Sequence, residues 1–116
     1  MITVYCYSRC STCKKALKWL DEKGISYDLI DLKENNPSED TLRELYQKSG
    51  LPLKKFFNTS GQIYRAMELS KKLPSMSEDD KLRLLASDGM LVKRPLIVTE
   101  KGIRTGFREE EWTAIL

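Results

Sequence analysis

The chain has 116 residues, 41% hydrophobic and 32% charged, with a formal net charge of +3 and no histidine. That length suits one domain with its own core, no apolar run approaches the roughly 20 residues of a membrane-spanning helix, and Lys and Arg are too dispersed for a nucleic-acid footprint. The missing histidine removes the usual general base, the Ser-His and Cys-His pairings and His-bearing zinc sites, so chemistry near neutral pH falls mainly to Cys6, Cys10 and Cys13.

Residues 2–6 (ITVYC) are β-branched and aromatic and predict a strand. A turn over Tyr7–Arg9 leads into a helix from about Ser11 to Lys23, with Ala16, Leu17 and Leu20 at helical spacing and Gly24 as its stop. Residues 26–31 predict a second strand, and a strand–helix–strand unit this short makes the two strands parallel with a right-handed crossover. Ser38 caps a helix running to about Ser49 with Leu42, Leu45 and Tyr46 on one face; short helical pieces follow near 53–57 and 63–72. Ser77, with Asp80 three positions on, opens a helix to about Ser87. Residues 95–99 (PLIVT) and 103–105 (IRT) predict an antiparallel pair, and Arg108–Leu116 a last helix that docks Trp112 and Ile115. The order is thioredoxin-like: an α/β fold with a four-stranded mixed sheet and an inserted helical block at about 37–88, in a single domain over 1–116.

Cys10-Ser11-Thr12-Cys13 is a C-x-x-C between a predicted strand and a predicted helix. Unpaired amides and the positive end of the helix dipole stabilise a thiolate at Cys10, with Lys14 available to add positive charge. Cys13 lies one turn further in, so both sulfurs share a face and can close a disulfide. Cys10 is then the attacking thiolate and Cys13 the resolving thiol. Cys6-x3-Cys10-x2-Cys13 also has the spacing of the [4Fe–4S] motif of radical S-adenosylmethionine enzymes, but these need a far larger barrel. Cys6 instead alternates with Ile2 and Val4, as a core thiol would, and no metal site is expected.

The run C-S-T-C-K-K-A, the placement of Lys93-Arg94-Pro95 and the closing Thr105-Gly106-Phe107-Arg108 resemble the glutaredoxin-coupled arsenate reductase family and its Spx relatives over nearly the whole chain. The resemblance implies that Cys10 attacks an oxyanion such as arsenate, or a disulfide. It implies that Arg94 and Arg108, with Ser11 and Thr12 at the helix start, hold the anion, and that Pro95 takes a cis peptide bond. Where such reductases carry an arginine in the helical middle, this chain has Phe57–Gly61, with Arg65 the nearest arginine. They generally lack a cysteine at the position of Cys13. Spx, which binds the C-terminal domain of the RNA polymerase α subunit, has both. The stretch Asn58–Arg65 is similar to a little-characterised arsenate-reductase-like branch, which implies glutathione or another thiol as electron donor.

Two functions follow. The first is a small thiol–disulfide oxidoreductase or reductase with no bound cofactor, served by a small-molecule thiol or a glutaredoxin- or thioredoxin-type reductant. The second is a Spx-like regulator whose Cys10–Cys13 disulfide toggles contact with RNA polymerase. The opening MITVYCYS has none of the parts of a secretory leader, so a cytoplasmic protein is expected, without membrane contact.

Overall fold

Alternation along Thr-Val-Tyr-Cys turns Val4 and Cys6 to one side of the first strand, β1 (Thr3–Cys6), and both are buried. In the computed structural model, which describes residues 2–116, β1 is a central strand. It pairs in parallel with β2 (Asp28–Asp31) and antiparallel with β3 (Leu96–Val98), which pairs antiparallel with β4 (Ile103–Thr105). The sheet order is β2-β1-β3-β4. This is the four-stranded mixed sheet of the thioredoxin-like order.

Helix α1 (Ser11–Glu22) joins β1 to β2. It ends in a Schellman pair: Gly24, at φ +68°, donates to the Asp21 carbonyl and Ile25 donates to that of Leu20, each at 3.0 Å. Val4, Cys6 and Ile97 of the sheet pack with Cys13, Ala16 and Leu20 of α1 and with Trp112 and Ile115 of the last helix, α6 (Glu109–Ile115). Trp19, Phe107 and Trp112 meet edge to face, with centroids 4.9–6.2 Å apart. The Trp112 indole donates to the Gly106 carbonyl at 3.0 Å, so this fully buried ring leaves no orphaned donor. Met1–Asp31 with Arg94–Leu116 make up this compact unit.

Leu32–Lys93 forms the other unit. Its longer helices, α2 (Glu39–Ser49) and α5 (Glu78–Ser87), start on serine caps: Ser38 Oγ accepts the Thr41 amide at 3.2 Å and Ser77 Oγ the Asp80 amide at 3.1 Å. Between them lie α3 (Gln62–Ala66), α4 (Leu69–Lys72) and short 3-10 turns. The expected helix over 63–72 is broken, because Glu68 takes a left-handed conformation (φ +52°) that no helix continues through. An antiparallel bridge between Phe57 and Val92 and a 3-10 turn at Gly89–Leu91 are additions that no sequence pattern announced. Among the described residues, no helix is long and apolar enough to cross a membrane.

Candidate active site

The strand-to-turn-to-helix passage after β1 sets the three sulfurs at graded depth. Cys10 is the N-cap of α1: its backbone is extended, its amide donates to the Tyr7 carbonyl at 3.0 Å, and its Sγ accepts the Cys13 amide at 3.4 Å. A sulfur thus occupies the place where a serine or aspartate oxygen ordinarily satisfies a first-turn amide. Cys10 is half-buried, while Cys13 and Cys6 are buried at 1% and 4% exposure. All three are free thiols. Ser11 and Thr12, between the two helix-start cysteines, are exposed.

The inner two thiols are tied to one another. Cys6 donates a side-chain hydrogen bond to Cys13, which lowers the Cys13 thiol from the ordinary 9.0 to about 6 against the opposing cost of burial. The Tyr7 backbone amide, the Cys10 side chain and the Arg94 charge also favour the Cys13 thiolate. The same hydrogen bond holds Cys6 protonated, and burial and the neighbouring negative charges push its thiol further up. Cys13, inside the first turn, is therefore the thiol of this inner pair whose ionisation its surroundings favour.

Arg94 is brought to this site from the other side of the chain. Its guanidinium lies over the Tyr7 ring, 5.3 Å from the centroid, and its charge reaches Cys13. The Arg94–Pro95 peptide bond is cis, and Pro95 is buried. Arg108 is placed differently: it is exposed, with its Nε 3.8 Å from Glu111 of its own helix. Arg65 belongs to the Leu32–Lys93 unit, exposed on the last turn of α3.

A cavity of about 110 Å³ opens beside the buried thiols, lined by Cys6, Tyr7, Cys13, Lys14, Leu29 and Asp31 among others; Cys10 does not line it. No local sequence signal places Tyr7, Leu29 and Asp31 beside the thiols. Leu29 and Asp31 come to the thiols through the parallel register Val4↔Leu29 and Cys6↔Asp31, which follows from strand pairing rather than from any local motif. Among the described residues, no group of three or more His, Cys, Asp or Glu is arranged to hold a metal ion.

Residues 5–115 match the family described as the ArsC family. The uncharacterized protein YusI of Bacillus subtilis is 52% identical over 111 residues, covering 96% of this chain and 94% of that protein. The global transcriptional regulator Spx of Bacillus subtilis is 26% identical, again over 96% of this chain and over 83% of its own length. Among solved structures, an ArsC family related protein from Bacteroides fragilis superposes with a TM-score of 0.95 at 47% identity, covering 99% of this chain and 97% of that one. One from Streptococcus mutans, described as a possible arsenate reductase, gives 0.88 at 50% identity, covering 97% and 98%.

Proposed function

This chain belongs to the ArsC family, and from that premise we propose that it is a thiol-dependent reductase with Cys10 as nucleophile and Cys13 as resolving thiol. The observation that supports this most is the Cys13 amide donating to Cys10 Sγ at 3.4 Å, which stabilises negative charge on the half-buried outer sulfur. In the forward half-reaction the Cys10 thiolate attacks one sulfur of a substrate disulfide, and the other sulfur leaves as a thiolate. Cys13, whose thiolate is favoured by the Cys6 hydrogen bond, then attacks Cys10. The Cys10–substrate bond breaks, the substrate departs as a second thiolate, and the two-electron oxidation stays on the protein as a Cys10–Cys13 disulfide. Glutathione, or a glutaredoxin- or thioredoxin-type dithiol, returns the electrons.

Arg94, held at the site on the Tyr7 ring, supplies a permanent cation for an anionic substrate such as a glutathione mixed disulfide or an oxyanion of the arsenate class. Ser11 and Thr12 would add hydroxyl donors at the helix start. Arg108, engaged with Glu111 at the surface, has the weaker claim to an anion-binding role. Turnover of a glutathionylated peptide in the presence of glutathione tests the reading. Cys10→Ser should lower the rate by about 100-fold or more, and undiminished turnover would overturn the proposal.

The kinship with Spx favours a second reading, in which the Cys10–Cys13 pair switches binding to the C-terminal domain of the RNA polymerase α subunit. Titration of that domain with reduced and with oxidised protein discriminates the two. Binding in one redox state only would support the regulator, and no binding in either state would remove it.

A further inference from the structure

Three features outside the Cys10 chemistry invite a role: the interhelical charge network of Glu39, Arg43, Asp79 and Arg83, the exposed Leu29 on strand β2, and the buried Cys6. The first pairs opposite charges at the surface and has the form of a structural clamp between α2 and α5. The second is a single apolar side chain. Cys6 differs, because it is a nucleophile in contact with another nucleophile and beside a void.

The observations are geometric. Cys6 and Cys13 belong to one packed cluster, both almost fully buried, and both line the cavity of about 110 Å³ that Cys10 does not reach. The Cys13 side chain makes hydrogen bonds to the side chains of both Cys6 and Cys10 and so stands between the outer sulfur and the inner one. Closing a disulfide asks two buried thiols to shift until their sulfurs bond at about 2.05 Å, and an adjacent void gives them room for that.

We infer that Cys6 and Cys13 form an inner dithiol, and that the disulfide made at Cys10–Cys13 passes inward to Cys6–Cys13. This rests on the preceding reading, in which the outer disulfide forms at all. In the step, the Cys6 sulfur attacks Cys13 Sγ, the Cys6–Cys13 bond forms and the Cys10–Cys13 bond breaks. The electron pair leaves with Cys10, which takes up the proton lost by Cys6. No outside oxidant or reductant enters, since one disulfide and one thiol give one disulfide and one thiol.

Two features favour this direction. Cys10 is a competent leaving group, because its thiolate is released onto the amide of the first helical turn. Cys6 is held protonated first by its bond to the Cys13 sulfur, then by burial and by that sulfur's charge. The bond and the Cys13 charge end once Cys13 is oxidised, which removes the largest of these restraints while burial and the Asp31 charge remain. The consequence is functional. The outer nucleophile is restored while the oxidising equivalent is stored in the core, so a second substrate can be engaged before the reductant arrives.

The test is a time course on the full chain. Wild-type protein receives less than one equivalent of oxidised glutathione, is quenched in acid at intervals and alkylated, and its disulfides are mapped by mass spectrometry. The expected result is an early Cys10–Cys13 species that declines as Cys6–Cys13 rises, with one alkylated cysteine in every internally oxidised molecule, first Cys6 and later Cys10. In Cys10→Ser, where no outer disulfide can donate, diamide should join Cys6 to Cys13 directly. A stable Cys10–Cys13 bond with Cys6 alkylated at every time, or two free thiols in diamide-treated Cys10→Ser, overturns the transfer and leaves the proposed function intact. Failure of wild-type protein to form any internal disulfide overturns both.

Discussion

The two compact units differ in what they bury. In Met1–Asp31 with Arg94–Leu116, the core holds two thiols among Val4, Ala16, Leu20, Ile97 and Trp112, and an arginine is drawn to one of them. In Leu32–Lys93 the interior is aliphatic and aromatic (Leu42, Phe56, Phe57, Leu82 and Leu85 among others), with the charges of Arg43, Asp79, Glu39 and Arg83 paired at the surface of α2 and α5. A buried ionisable group costs stability unless its neighbours are arranged around it, so the first unit carries polar arrangements that the second has no need of. The lesson is that the thiols sit in a core in which packing and ionisation are coupled, while the helical unit obeys the rules of caps, stripes and surface pairs.

That contrast can be tested on stability. The largest effect should come from Trp112→Ala. This residue is fully buried, meets Trp19 and Phe107 edge to face and donates to the Gly106 carbonyl, so its truncation should cost about 3–5 kcal/mol in denaturant unfolding. A smaller loss would mean that the core below the thiols is looser than its packing indicates.

The next concerns pH. Cys13 has a folded value of about 6 against 9.0 for the free thiol, so the unfolded chain binds the extra proton between them. The Cys13 contribution to stability is therefore fully present above pH 9.0 and is lost as pH falls through about 6. Cys6 works oppositely: its folded value is raised, so its contribution stands below 9.0 and fades only as pH rises beyond that. Unfolding free energy should thus climb with pH across this window, and Cys13→Ser should flatten the climb. An unchanged slope in the variant would separate ionisation from packing and break the comparison.

The helical unit should respond to shape alone. A Cβ on Gly89 would run into the Leu32 carbonyl oxygen, a backbone atom that cannot swing aside, so Gly89→Ala should cost about 1–3 kcal/mol with no dependence on pH in that same window.

Much of the frame was legible because its signals are local. Ser38 and Ser77 cap α2 and α5, Gly24 closes α1, and the strand–helix–strand unit pairs in parallel as its length demands. Cys10 and Cys13 could be placed because a C-x-x-C between a strand and a helix fixes its own surroundings. What escaped depends on contacts between distant segments. The helix over 63–72 breaks at Glu68, whose left-handed backbone has no glycine to mark it. The second strand starts at Asp28 rather than at Ser26, because it pairs only as far back as Thr3 of β1. Alternation already turned Cys6 into the core, yet its bond to Cys13 requires the strand and helix to be docked first. The pairing of Arg108 with Glu111 could have been read from their three-residue spacing at a helix start, where it weakens an anion-binding role.

The central claim is that Cys10 is the thiol that meets the substrate and Cys13 the thiol that releases it. The most direct measurement is the intact mass of Cys13→Ser protein after exposure to oxidised glutathione, with the modified peptide then mapped. The expected result is one glutathione held on Cys10 in the variant, and in wild-type protein an internal disulfide with no adduct retained. A variant that carries no glutathione on Cys10, or a wild-type chain that keeps its adduct unresolved, would contradict it.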